Sequence, residues 1–427
     1  MRSRNTGIFI LLVAIVVITV SWNGKFADPS NIRALIRDTS LYGLISLGVA
    51  FVIITGGIDL SIGSLIALSG VVFITTANIE KYEVDFRAPI ASVSSEGEGI
   101  LVAFQAGLPK VLPGDQLQTE QQTWVIREIV SDATNQYLRL NESGRPPQAG
   151  EMAFLSRSGE PLRHVITVHR SPWLCSVVVL VMSALIGLLH GVLVTWGRLQ
   201  PFIVTLCGLL IYRGLARILS GDTAKGFGDS MHGFRQFVGG AIGSFPVPFV
   251  GRIAGVDASW ISWIEFPWAG VLLAIVALLG WVFLYRSVFG RHLLALGQNE
   301  QAALYSGINT GRLTILAYVL CSSLAGLAGI LFLVDWTTMA PSTAGSFYEL
   351  YAIAAAVLGG CSLRGGQGAL VGVIAGAAVM RCLYKSIDLV GIGKEWEFVV
   401  IGLALFAGVV FDEVVRRFAS HGTYLKQ

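Results

Sequence analysis

Long apolar runs alternate with short polar breaks along most of this chain, and only two stretches leave that pattern. A helix that crosses about 30 Å of hydrocarbon needs roughly 17 to 25 mostly apolar residues. Ten runs of about that length are present, approximately 6–22, 38–55, 60–78, 172–196, 201–219, 264–285, 313–334, 346–362, 367–384 and 396–412. Each predicts a membrane-spanning helix. Arg2 and Arg4 before the first run would also suit a cleaved signal, but no small-x-small site follows Val20-Ser21-Trp22, so a retained span is expected.

The first departure is residues 79–170. Alternating runs at Ile100–Phe104, Trp124–Val130 and Tyr137–Leu140 are separated by Pro-Gly, Asn-Glu-Ser-Gly and Arg-Pro-Pro breaks, a period-two pattern that predicts a small β-rich domain. The second is 220–263, whose Gly, Phe, Trp and Pro content predicts a loop with short re-entrant or interfacial helices. The expected fold is therefore an all-α polytopic membrane protein of about ten transmembrane helices with an inserted small β-rich extracytoplasmic domain. By segment, 1–78 carries helices one to three and 79–170 is the periplasmic insert. Residues 171–427 carry helices four to ten, a periplasmic loop at 220–263 and a cytoplasmic loop at 287–312.

Composition agrees with a bilayer as solvent: 54% of residues are hydrophobic and only 13% charged, with a mean hydropathy of +0.68. Arg2, Arg4, Arg198, Arg286, Arg291, Arg312, Arg364, Arg416, Arg417 and Lys426 fall on one side if ten spans alternate, which makes that side, and both termini, cytoplasmic. Lys25, Arg33, Arg37, Lys385 and Lys394 fall on the other, so the bias is incomplete. Residues 79–170 lie three spans before the 287–312 loop and so on the opposite face. A net charge of +3 without a basic run argues against nucleic acid. All five cysteines, Cys175, Cys207, Cys321, Cys361 and Cys382, sit in or beside apolar runs and read as small core residues. The six histidines are scattered without metal-ligand spacing, so no metal is expected.

The chain encodes no energy source of its own. Its Gly-Lys pairs, Gly24-Lys25 and Gly393-Lys394, are followed by Phe and Glu, which is not a phosphate-binding loop. A G-x-S-x-G elbow and a His-Glu-x-x-His helix are likewise missing, so no catalytic residues and no bound cofactor are expected.

Three polar marks interrupt the spans. Gly56-Gly57-Ile58-Asp59-Leu60-Ser61-Ile62-Gly63-Ser64 follows the second run. Asp59 or Ser61 can cap the next helix there, leaving two readings open: a tight capped turn, or part of a transport path. A weaker echo stands at Gly359-Gly360-Cys361-Ser362-Leu363-Arg364-Gly365-Gly366; internal duplication and chance both account for it. Gln200-Pro201-Phe202-Ile203-Val204-Thr205 opens the fifth run. Arg213 and Arg217 further along it suit snorkelling to the interface. Finally, Gly290–Ile308 is polar and helix-capable: Asn299 suits an N-cap, Glu300 and Gln301 the first turn, Ala302 and Ala303 a small-residue middle, and Ser306-Gly307 a left-handed stop. It predicts one short helix of about two turns.

Gly56–Ser64, the run Gly197–Leu206 with Tyr212–Ala216 after it, and Gly290–Ile308 occur in an order that resembles the monosaccharide ABC-importer permeases, the ribose, xylose and galactose permease family. The similarity covers nearly all ten spans and omits residues 79–170. It implies a permease subunit in the inner membrane that passes a monosaccharide by alternating access. Its implied partners are a second permease copy, a periplasmic sugar-binding protein and a cytoplasmic ATPase that alone binds ATP and Mg. It further implies that Gly290, Arg291, Gly297, Asn299, Glu300, Gln301, Ala302, Ala303, Ser306, Gly307 and Ile308 form the ATPase-coupling loop. Gly56, Gly57, Asp59, Ser61, Gly63, Ser64, Pro201, Phe202, Thr205, Gly359 and Gly360 belong to the translocation path or its helix breaks. Gln301 stands where the family has glutamate and Gln298 where it has glycine.

Two other classes compete. An ion-coupled secondary transporter needs paired acids or histidines near the membrane midplane; Asp59 and Asp335 are expected near span ends instead. An envelope protein acting through residues 79–170 needs far fewer spans for anchoring.

Overall fold

The computed structural model describes residues 2–95, 100–104, 108, 111–120, 122–131, 136–141, 145–228, 230–248 and 261–391, with 393, 396, 398, 399, 402, 403 and 406 beyond them. The chain separates into two compact units: Asn78–His169, and the residues on both sides of it.

The smaller unit is built of strands: β1 (Glu80–Asp85), β2 (Arg87–Ser95), β3 (Ile100–Phe104), β4 (Gln116–Gln118), β5 (Thr123–Ser131), β6 (Gln136–Leu140), β7 (Met152–Arg157), β8 (Glu160–Pro161) and β9 (Arg163–Val168). Its main sheet runs β2-β3-β6-β5-β4-β7-β8, and β2 also pairs with β7. That extra pairing closes six antiparallel strands on themselves and removes two edges. Alternate residues Trp124, Ile126, Leu138, Leu140, Ala153 and Leu155 point into one buried core. β1 and β9 form a separate antiparallel pair, Glu80 opposite Val168.

The larger unit is helical: α1 (Arg2–Trp22), α2 (Pro29–Ile54), α3 (Ile62–Ala77), α4 (Pro172–Thr195), α5 (Pro201–Ser220), α6 (His232–Gly239), α7 (Trp268–Trp281), α8 (Val288–Gln298), α9 (Glu300–Tyr305), α10 (Thr310–Trp336), α11 (Tyr348–Leu358) and α12 (Leu370–Val390). Helices α2, α4, α5, α10, α12 and α7 with its π-turn extension Val282–Arg286 are long and apolar enough to cross a membrane; Gly7–Trp22 of α1, α3 and α11 are apolar but shorter. The chain is thus a multi-pass membrane protein. The run expected at 396–412 falls almost wholly outside the described residues.

Prolines at the first helical position open α2, α4 and α5, where a missing N–H costs nothing. Helix α2 starts at Pro29, earlier than its apolar run, because Asp28 accepts from Ser30 N at 2.8 Å and its polar first turns find partners. Arg33 pairs with Glu265, Arg37 with Asp335 at 2.8 Å, and Asp38 with Arg381. From Ser40 to Ile54 every residue of α2 is buried, against α7, α10, α11 and α12. Helices α4 and α10 pack closely because Gly187 and Gly191 leave room for the backbone of Tyr318 and Ile315; small residues at such crossings are how membrane helices gain contact. Leu185, Leu210, Ile211, Leu278 and Leu279 face outward, as hydrocarbon solvent permits.

The 220–263 stretch, of which 229 and 249–260 lie outside the described residues, adds a strand pair to the short helix expected of it. Among its described residues it holds one helix, α6, and a strand β10 (Ala241–Pro248) that pairs antiparallel with β11 (Ile261–Pro267). The alternating Phe245, Val247, Ile264 and Phe266 favour a ribbon over an interfacial helix.

Candidate functional site: a coupling segment rooted in a glycine junction

The segment Ser287–Asn309 folds as two helices rather than one. Ser287 Oγ accepts from Gly290 N at 3.0 Å and starts α8; Gly290 packs its backbone against the carbonyls of Phe283 and Leu284 at the π turn. Leu293 and Leu296 fix α8 to the core while Arg291 stays exposed. Asn299 then leaves helical geometry with φ −160°, and its Oδ1 accepts from Ala302 N at 3.0 Å to begin α9. Ser306 Oγ donates to Ala302 O, Ile308 N donates to Ala303 O at 3.1 Å, and Gly307 takes φ +80°.

Two alanines adjacent in sequence part ways here. Ala302 is exposed and Ala303 buried, since successive helical residues point about 100° apart, so only the first is open to a partner. Asn299, Glu300, Gln301, Ser306 and Gly307 are exposed and Ile308 is half-buried. Leu304 and Tyr305, which the sequence pattern did not mark, present the largest apolar surface of α9; Tyr305 is 86% exposed.

The end of α8 meets both glycine-rich turns. Gly366 N donates to Ile54 O at 2.8 Å. A Cβ at Gly297 would run into that same carbonyl and into Gly366 N, and one at Gly365 would meet Gly297 O and Gly56 N. Gly365 and Gly366 have φ +87° and +71°, a region L side chains rarely adopt. Thus Gly56, Gly297, Gly365 and Gly366 make one junction of bare backbone. Gly359 lies apart, packed on the α12 backbone at Gly372 and Val373, with Gly360 next to it at the end of α11.

Asp59 is deeper than expected. It is 0% exposed, and its Oδ1 accepts from Ser61 N at 2.9 Å and Ser61 Oγ at 2.7 Å. The Ser61 carbonyl in turn receives Leu65 N and Ser64 Oγ at the start of α3. Thr205 Oγ1 donates to Ile58 O at 3.2 Å, tying the Pro201 end of α5 to this turn, whereas Phe202 points outward. His190 Nε2 and Tyr212 Oη lie 2.8 Å apart. Gly57 backs the Tyr318 hydroxyl, Gly208 lies between Ser61 and His190, and Gly63 admits Gly345 O and Glu349.

Two further readings are corrected. Arg213 does not snorkel: it turns inward and donates to Pro341 O at 3.0 Å and Ala344 O at 2.5 Å, whereas Arg217 does reach an exposed partner, Asp222, at 2.6 Å. Cys207 is exposed on α5 while the other four cysteines are buried, and all five are free.

The family model described as branched-chain amino acid transport system / permease component matches residues 31–409. The chain is 30% identical to the ribose import permease protein RbsC of Bacillus subtilis (strain 168) over 96% of its own length and 92% of that protein's. It is 28% identical to RbsC of Escherichia coli (strain K12), over 94% and 92%, and 26% identical to the xylose transport system permease protein XylH of the same strain, over 98% and 94%. No solved structure matches. The chain belongs to the branched-chain amino acid transport system permease-component family, the transmembrane and non-enzymatic part of such systems.

Proposed function

We propose that this chain is the permease subunit of an ATP-binding-cassette importer that carries a monosaccharide, a ribose-like pentose or a hexose, across the inner membrane. The carrying observation is the junction at Ile54, Gly297 and Gly366. An exposed two-turn helix, α9, extends from α8, and at Gly297 the last turn of α8 meets the ends of two core elements backbone to backbone. A push on α9 is therefore delivered to the end of α2 and to the turn before α12 through these close backbone contacts.

A cytoplasmic ATPase, which holds ATP and Mg, supplies that push through Asn299–Gly307. Leu304 and Tyr305 give its groove an apolar anchor, and Glu300 supplies the charge that Gln301 does not. Such a partner biases the equilibrium between outward and inward conformations only by its differential affinity for the two. Sugar arrives from a periplasmic binding protein. Two permease copies pair; in this reading the chain crosses the membrane ten times, both termini are cytoplasmic, and residues 79–170 are periplasmic and assist docking. The ribose and xylose names of the relatives support the substrate class.

The test is reconstitution with the cognate ATPase and binding protein. ATP-dependent accumulation of D-ribose or D-xylose supports the reading. Accumulation by vesicles that hold this chain alone, without an ATPase, rejects it.

A further inference from the structure

We propose that Asp59, His190 and Tyr318 form a subsite for the hydroxyl groups of the transported sugar, closed in the conformation described above and opened when α3, α4, α5 and α10 separate. This rests on reading the chain as a monosaccharide permease.

Asp59 and Tyr318 are 0% exposed and His190 is 1% exposed. His190 Nδ1 and Tyr318 Oη have no hydrogen-bond partner among the described residues, and Asp59 Oδ2 has no nitrogen or oxygen partner there, with the buried Cys321 thiol beside the carboxylate. The three groups come from the turn before α3, from α4 and from α10, yet they converge. The rings of His190 and Tyr318 meet edge to face with centroids 6.2 Å apart, and the turn that carries Asp59 reaches both: Gly57 lies against the Tyr318 hydroxyl, and Ser61 lies beside Gly208, which faces His190 Nε2. Tyr212 occupies the other imidazole nitrogen at 2.8 Å, so Nδ1 is the one left for a ligand.

Unpaired buried polar atoms are costly and are seldom retained without a use. Inside a membrane the cost rises, and ionisable residues there mark the route of a polar cargo. The chemistry narrows the cargo. A carboxylate accepts, a phenol donates and accepts, and an imidazole nitrogen does either according to tautomer; together they complement vicinal hydroxyls better than an apolar or anionic solute. Gly57 stands behind the Tyr318 hydroxyl and Gly208 behind His190 Nε2, so backbone forms the wall and separation of helices suffices to expose the three groups. Contacts that exist only in the opened state hold sugar weakly, as release requires.

Tyr318→Phe removes one hydroxyl, and Asp59→Asn removes the charge while leaving an acceptor for Ser61. In vesicles with the cognate ATPase and binding protein, each should lower D-ribose or D-xylose uptake per ATP hydrolysed about tenfold while ATPase stimulation and melting temperature stay at wild-type values. Ser183→Ala, which also deletes a buried hydroxyl without a partner, should import normally. If Tyr318→Phe does not fold, His190→Gln takes its place. Normal import by both site variants, or an equal loss in Ser183→Ala, overturns the subsite. Failure of the wild type to import either sugar with its partners present instead rejects the sugar-permease reading. Import driven by a proton gradient without ATP would make Asp59 and His190 a proton relay and overturn both.

Discussion

The amide of Gly366 donates to the carbonyl of Ile54 across 2.8 Å, joining the turn before α12 to the last residue of α2, and Gly297 fills the remaining side with bare backbone. A methyl group at Gly297 has nowhere to go except against that pair. Gly297→Ala should cost about 1–3 kcal/mol, the usual range for overpacking. It should also reduce sugar uptake per ATP hydrolysed more than it reduces ATPase activity, because the wedge parts α8 from α2. Thermal unfolding and coupled uptake assays on reconstituted vesicles measure the two effects. A variant with wild-type coupling would show that force does not pass through this junction.

Helix α9 is too short to hold itself, and its two ends carry the stabilisation. Asn299 Oδ1 supplies one end, so Asn299→Ala should lose about 1 kcal/mol of local stability, and Asn299→Asp should retain it. At the other end Gly307 has φ +80° and its amide donates to Leu304 O. Gly307→Ala costs about 1–2 kcal/mol in left-handed geometry; Gly307→Pro loses the donor as well and should uncouple ATP hydrolysis from uptake without disturbing the membrane helices. Circular dichroism and uptake measured together check this. Normal sugar accumulation in Gly307→Pro would count against the coupling role of α9.

Residues 82–168 should be removable. The chain leaves and rejoins the helical unit at neighbouring points, since Arg170 N donates to Ala77 O at 2.9 Å, and β1 and β9 run antiparallel from there. A short Gly-Ser linker spans such a gap with little closure entropy. Membrane insertion and detergent-solubilised melting temperature should be retained, while uptake at limiting concentrations of binding protein should fall. Unchanged uptake across that titration would leave the insert without a docking role.

How much of this was legible in the chain depended on the range over which each signal acts. Apolar length alone marks α4 and α10, because a bilayer of fixed thickness sets the count locally. The cap at Asn299 and the stop at Gly307 are equally local. Ala302 and Ala303 look alike in sequence, and only the packing of α9 beside α10 decides which one is buried. His190 reads as a lone polar residue in an apolar run until α5 delivers Tyr212 to it. The glycines at 56, 297, 365 and 366 announce that something approaches closely, but nothing local says that they approach one another. Leu304 and Tyr305 were hidden for a related reason: an apolar pair next to long spans draws no notice, although its exposure on a polar loop is what sets it apart.

Acid should weaken the smaller unit through one carboxylate. Asp115 is buried beside β4 and accepts from Arg157 Nε at 2.7 Å, Arg157 Nη2 at 2.9 Å and Leu112 N at 2.7 Å. The Arg157 hydrogen bonds, aided by the Leu112 amide, hold its pKa below the ordinary carboxylate value despite burial. A carboxylate whose folded pKa is depressed stabilises the fold above its unfolded pKa of about 3.9 and loses that contribution as pH falls through the lower folded value. The smaller unit should therefore keep its melting temperature from neutrality to about pH 5 and lose it progressively below about pH 4. Asp115→Asn should start from a lower melting temperature and show a shallower acid dependence, since the titrating partner of Arg157 is gone. Calorimetry can assign the transition by its disappearance from the 82–168 deletion. An identical acid slope in Asp115→Asn would place the sensitivity elsewhere in the unit.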